Sequence, residues 1–111
     1  MLAKKPEIIL FTNTVNEQFV KEICAGIEED GLLYRVVSAN GSDAYALAVE
    51  ACNEATIGVG ISVVNDMAVL TAENLDISKP LQTVKEGNYE QARVLGKNAA
   101  RYIKKMPLVM A

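Results

Sequence analysis

The chain contains no histidine and no tryptophan, only two cysteines, and 5% aromatic residues. Each shortage excludes something. Without histidine there is no imidazole for general acid–base catalysis, no Ser-His-Asp or Cys-His nucleophile, and most transition-metal sites lose their usual ligand. Cys24 and Cys52 fall within apolar helical patterns, where small buried hydrophobes are expected in preference to a disulfide, a metal pair or a nucleophile. With so few aromatics the core must be built from Ala, Val, Ile and Leu. Such side chains suit close helix-on-sheet layers better than an aromatic-lined ligand cavity. No apolar run approaches the roughly 20 residues of a membrane span and no secretory leader is visible, so a cytosolic chain is expected. Gly58-Val59-Gly60 resembles the start of a dinucleotide fingerprint but lacks the third glycine, and no helix is expected to begin there; tight packing or a bulge is the better reading. The formal charge of −3 and pI near 4.9 argue against nucleic acid as a partner. Arg93, Lys97, Arg101, Lys104 and Lys105 are the one basic cluster, and their spacing reads as a solvated helix face.

What is present is an alternation of strands and helices within one expected domain, residues 1–111, of 12.0 kDa. A short polar lead-in ends at Pro6. Glu7 to Thr12 has the pattern of a strand covered on both faces. Asn13 and Thr14 are turn or cap residues and Asn16 is a second cap candidate, before a helix carrying Val20, Ile23, Cys24 and Ile27 at helical spacing. Gly31 supplies a left-handed stop, and Leu33 to Ser38 reads as the next strand. Asn40 to Asp43 form a turn and cap, followed by an alanine-rich helix to about Glu54. Ile57 to Val63 and Met67 to Thr71, separated by Asn65-Asp66, suggest a hairpin, and Leu81 to Val84 a further short strand. The last helix, Tyr89 to Lys105, stops before Pro107; Gly96 inside it suggests close backbone approach to a neighbour. The fold class predicted is α/β: a three-layer sandwich with a central, mostly parallel sheet, one hairpin strand and three helices.

Two places could carry chemistry. Asn13-Thr14 and Asn65-Asp66 lie at the expected carboxyl edge of the sheet, where open α/β folds bind ligands, but neither forms a phosphate cradle; capping and turn roles are the simpler reading. The other is Glu28-Glu29-Asp30, which closes the first helix with three acids. A helix C-terminus carries partial negative charge and favours cations, so these acids oppose the macrodipole. They face solvent, a cation or a basic surface. Carboxylates suit Mg²⁺ or Ca²⁺, but one short cluster cannot fill a coordination sphere.

Gly26-Ile27-Glu28-Glu29-Asp30-Gly31 resembles the GIEEEGIP segment of the small subunit of the glycerol and diol dehydratase reactivating factor. Gly96-Lys97-Asn98-Ala99-Ala100-Arg101-Tyr102-Ile103-Lys104-Lys105-Met106-Pro107 is similar to the GNNAARLVKGIP segment of that family, and Val59-Gly60-Ile61 and Asn74-Leu75 fall between them in the expected order. Thr12 to Asn16 departs from the acidic, glycine-rich loop of the family, and Leu32-Leu33 lacks the proline after the motif glycine. The resemblance implies a non-catalytic subunit of a chaperone for adenosylcobalamin-dependent dehydratases. Its large-subunit partner would be an ATPase with an actin-like nucleotide fold. The small subunit would exchange transiently with the dehydratase medium subunit and so release damaged cobalamin. It further implies that Glu29, flanked at the interface by Glu28 and Asp30, shares Mg²⁺ or Ca²⁺ with the large subunit, the chain having no cofactor of its own. A bacterial microcompartment is a further setting the resemblance allows. Two other readings are a structural subunit or fragment of the dehydratase itself and a small flavodoxin-like ligand-binding domain.

Overall fold

The computed structural model describes residues 7–14 and 16–109, so the expected lead-in at residues 1–6 lies outside it. The elements follow in the order β1 (Glu7–Thr12), α1 (Glu17–Glu29), β2 (Leu33–Ser38), α2 (Ala44–Glu54), β3 (Val59–Val64), β4 (Met67–Ala72), β5 (Gln82–Lys85) and α3 (Tyr89–Ile103). They build a five-stranded sheet in the order β2-β1-β3-β4-β5. β1 runs parallel to β2 and to β3, whereas β3–β4 and β4–β5 are antiparallel, so the sheet is mixed. The expected hairpin is β3–β4: Val64 pairs with Met67 across Asn65-Asp66, and Asn65 takes the left-handed conformation that asparagine tolerates better than most residues.

Alternation along β1 sends side chains to two separate cores. Ile8 and Leu10 join Phe19, Ile23 and Ile27 of α1 and Leu95 and Ala99 of α3 on one face. Ile9 and Phe11 join Leu47, Ala48 and Ala51 of α2 on the other. The result is the predicted three-layer α/β/α sandwich, with α1 and α3 together on one side and α2 alone on the other. Asn16, Asp43 and Asn88 cap the three helices through their side-chain oxygens. Asn13 instead ties together the loops at the carboxyl edge. Its amide donates to the Gly41 carbonyl, and its side-chain oxygen accepts from the Asn65 backbone N–H at 3.4 Å. Gly60 serves packing, as expected. A Cβ there would strike the backbone of Ala48 and Cys52, so α2 can lie against β3 only because the side chain is missing.

Candidate functional site

The end of α1 is built by its glycine. Gly31, at φ 79°, lets the chain reverse so that Gly31 N–H donates to the Glu28 carbonyl at 2.9 Å and Leu32 N–H to the Ile27 carbonyl at 3.3 Å. This Schellman pattern satisfies the terminal carbonyls without side chains. It leaves the three acids free to point elsewhere, and they point to three different places.

Glu28 accepts a hydrogen bond from the Tyr34 hydroxyl at 2.8 Å. Glu29 Oε1 accepts from Arg93 Nη1 at 2.9 Å, with Lys97 Nζ 3.7 Å from its Oε2. Asp30 accepts from Arg101 Nε at 3.1 Å, and Lys104 donates to its backbone carbonyl. Two turns earlier, Glu22 Oε1 takes Arg93 Nε at 3.0 Å and Nη2 at 2.7 Å. The α1 last turn has no basic residue of its own; the cations that its dipole favours come from α3. This corrects the reading of the α3 basic cluster as a solvated face. Arg93, Lys97, Arg101 and Lys104 reach across to α1.

The approach that permits this is made by two glycines. A Cβ on Gly26 would fall on the Arg93 carbonyl oxygen, and a Cβ on Gly96 on that of Ile23. The helix backbones therefore touch, as Gly96 suggested, and long charged side chains bridge the rim of the contact. Arg93 is held charged above its usual range, first by hydrogen bonds to Glu22 and then by those to Glu29. The acids differ in availability: the side chain of Asp30 is 13% exposed and that of Glu29 is 43% exposed.

Beside this seam the edge strand β2 leaves Leu33 and Val36 exposed, at 50% and 43%. Val36 and Tyr34 border a groove with Val20, Cys24 and Ala25 that runs to Glu28. Both thiols are free and buried. Burial, only partly offset by a hydrogen bond with Tyr34, pushes the Cys24 thiol up to about 11. The hydrogen bond to Glu28 is the main cause that pushes the Tyr34 hydroxyl up to about 12. At neutral pH neither supplies a nucleophile. Among the described residues no group of three acidic, cysteine or histidine side chains converges closely enough to hold a metal ion. Glu29 can offer a hard cation one carboxylate, with the remaining ligands coming from outside the chain.

Two features were missed in the sequence. One is the exposed apolar edge of β2, since an apolar run does not reveal whether its strand is central or peripheral. The other is Asn98, buried in α3, which donates to the Val109 carbonyl at 3.2 Å and to Gln82 Oε1 at 2.9 Å and accepts from the Val109 N–H at 2.6 Å. It fastens the C-terminal stretch to β5. An amide on an otherwise apolar helix face was the available signal.

The family model for the dehydratase medium subunit matches residues 5–109. The small subunit of the diol dehydratase-reactivating factor of Klebsiella michiganensis is 34% identical over 88 residues, covering 78% of this chain and 70% of that protein. The small subunit of the propanediol dehydratase-reactivating factor of Citrobacter freundii is 29% identical over 104 residues, or 92% of this chain and 89% of that one. Among solved structures, a glycerol dehydratase reactivase chain superposes with a TM-score of 0.88 at 30% identity, covering 95% of this chain and 97% of the other. A chain of the diol dehydratase-reactivating factor complexed with ADP and Mg²⁺ gives 0.85 at 27% identity, over 97% of this chain and 100% of the other. With its α/β/α fold and both motifs joined in one contact, the chain belongs to the dehydratase medium-subunit family, among the small subunits of diol and glycerol dehydratase-reactivating factors.

Proposed function

We propose that this chain acts, as a single domain, as the non-catalytic small subunit of an ATP-dependent reactivating factor for an adenosylcobalamin-dependent glycerol or propanediol dehydratase. It binds an ATP-hydrolysing large subunit and exchanges with the medium subunit of the dehydratase. The opened dehydratase then releases damaged cobalamin and accepts intact coenzyme. The setting is cytosolic, with association to a bacterial microcompartment as an extension of the same reading. The observation that carries the proposal is a double likeness. The matching family takes its name from the dehydratase medium subunit, while the relatives matched along nearly their full length are reactivating-factor chains. Two proteins of one fold can compete for one surface, and mass action divides the partner between them.

In this reading the large subunit covers the α1 end and the adjoining β2 edge, where Leu33 and Val36 stand exposed. Glu28 and Asp30 flank the contact, and Glu29 gives one carboxylate oxygen to a Mg²⁺ or Ca²⁺ ion shared with the large subunit. The donor fits that role. It is half-exposed, and two cationic groups already converge on it, so the position tolerates positive charge. The ion would neutralise the carboxylate and fix the orientation of the two subunits. A relative complexed with ADP and Mg²⁺ supports a nucleotide-handling partner and a divalent ion.

Reconstitution tests the function. Dehydratase inactivated during turnover should recover, with release of cobalamin, only when this chain, the large subunit and ATP are all present. Glu29→Gln should leave the fold intact and weaken association with the large subunit, most visibly at limiting Mg²⁺. Co-purification as a permanent component of the dehydratase, with no affinity for the large subunit, would favour the structural-subunit reading instead.

A further inference from the structure

We propose that Arg93 is an intramolecular placeholder on Glu29: it occupies the carboxylate in the free chain, gives way when a divalent cation at the partner interface takes its position, and is retained by Glu22 as it leaves. The inference rests on the reading of Glu29 as a shared metal ligand.

The geometry of the guanidinium carries it. Arg93 is forked between two carboxylates, and the two arms are unequal. Nε and Nη2 both reach Glu22 Oε1, at 3.0 and 2.7 Å, whereas Nη1 alone reaches Glu29, at 2.9 Å. The Glu22 side chain is 20% exposed and that of Glu29 is 43% exposed. The inner arm is thus the stronger and drier one, and the outer arm is a single hydrogen bond at the surface. An exposed ion pair of that kind contributes little and is readily exchanged. Glu22 and Glu29 are seven positions apart on α1, two turns along the same face, so one guanidinium can span both.

This arrangement removes the usual obstacle to releasing a paired charge. If Arg93 had Glu29 as its sole partner, freeing the carboxylate would leave the guanidinium, 42% exposed, with only water in place of its counter-ion. Here the guanidinium keeps Glu22, and the released Glu29 is matched by the incoming ion. The exchange is confined to side chains, because the Arg93 carbonyl lies against Gly26 and fixes the backbone of α3 beside α1. Lys97, 3.7 Å from the second oxygen of Glu29, adds charge without forking and is the weaker competitor.

Two substitutions on one guanidinium should then act with opposite sign. Arg93→Gln removes the competitor, so the Mg²⁺ concentration for half-maximal association with the large subunit should fall by about two- to five-fold, the scale of an exposed ion pair. Glu22→Gln, which removes the inner arm, should transfer the guanidinium wholly to Glu29 and raise that concentration. Arg93→Lys keeps the charge but loses the fork, and should resemble Arg93→Gln; it serves if the glutamine variant folds poorly. The experiment titrates Mg²⁺ into the full chain and the purified large subunit and follows association by calorimetry, with circular dichroism verifying the fold. Opposed shifts for Arg93→Gln and Glu22→Gln are the expected result. An unchanged or raised requirement in both Arg93 variants, with Mg²⁺ dependence lost in Glu29→Gln, would overturn the placeholder while leaving the metal bridge standing. Full Mg²⁺ dependence in Glu29→Gln would remove the metal bridge and the placeholder with it.

Discussion

On one face of the sheet α2 lies alone against Gly60 of β3; on the other, α1 and α3 lie against each other through Gly26 and Gly96. In both layers a missing side chain brings two backbones together, but the products differ. The α2 contact is sealed by Ala48, Ala51 and Cys52, and a polar bridge within it, Ser62 Oγ donating to the Ala44 carbonyl, is buried. The α1–α3 contact has a rim of long charged residues, with Arg93, Lys97 and Arg101 facing Glu22, Glu29 and Asp30. One layer uses close packing only to hold the fold. The other uses it to set charges in register at the surface. The glycines, acids and bases of the two motifs are therefore one device, and the two layers should fail in different ways when their glycines are filled.

The largest effects should come from those glycines. Gly60→Ala places a methyl group on the backbone of α2, which cannot yield as a flexible side chain would, and should cost about 3 kcal/mol. Gly96→Ala meets the Ile23 carbonyl in the same way, but alanine recovers about 1 kcal/mol of helix propensity, leaving a net loss of roughly 2 kcal/mol. Urea denaturation measures both. Affinity for the large subunit, measured on the folded fraction, separates them: Gly96→Ala should lose affinity because the charged rim moves, and Gly60→Ala should not. Equal loss in both variants would break the distinction between the layers.

A smaller effect is expected at the other flank of α3. Asn98→Ala leaves the backbone groups of Val109 and the side-chain oxygen of Gln82 without their partner; both residues are half-buried, water can take its place, and the cost should be about 1 kcal/mol. Because Asn98 faces β5 and the C-terminal stretch, the Mg²⁺ dependence of association should stay at the wild-type value. A shift there would mean that the seam extends further along α3 than its ion pairs indicate.

The layered fold was legible in the chain because each element carries its own period. Ile23 and Ile27 recur at helical spacing, and β1 reads as a strand buried on both faces, which it is. The partner of a charged face was not legible. Arg93, Lys97 and Arg101 share one side of a helix whatever lies opposite, and α1, some 70 positions earlier, declares nothing to them. Resemblance coupled the Gly26–Gly31 and Gly96–Pro107 motifs, and the physical reason is that they touch. Periodicity also left strand order open. Leu33 and Val36 read as ordinary strand residues, and only the position of β2 at the sheet edge exposes them. The metal-sharing role proposed for Glu29 draws on atoms of another chain, which no pattern within this one encodes.

The smallest effect concerns the thiol in each layer, Cys24 under α1 and Cys52 under α2. Burial raises both above the ordinary value of 9.0, Cys24 to about 11, because the thiolate is poorly solvated in the folded chain. From pH 9 upward the unfolded chain therefore releases protons that the folded chain retains, and folding stability falls as pH rises toward 11; below pH 9 both states hold the proton and this contribution is fully present. With no histidine to titrate, the urea midpoint should be flat between pH 6 and about 8 and then decline. Cys24→Ala and Cys52→Ala should each flatten the decline in part, each leaving the other's share. The Tyr34 hydroxyl, raised to about 12 chiefly by its bond to Glu28, contributes in the same direction above pH 10, so Tyr34→Phe should reduce what remains in the double alanine variant. A midpoint that declines with the wild-type slope in the triple variant would show that other groups cause the decline and that neither thiol is desolvated as placed.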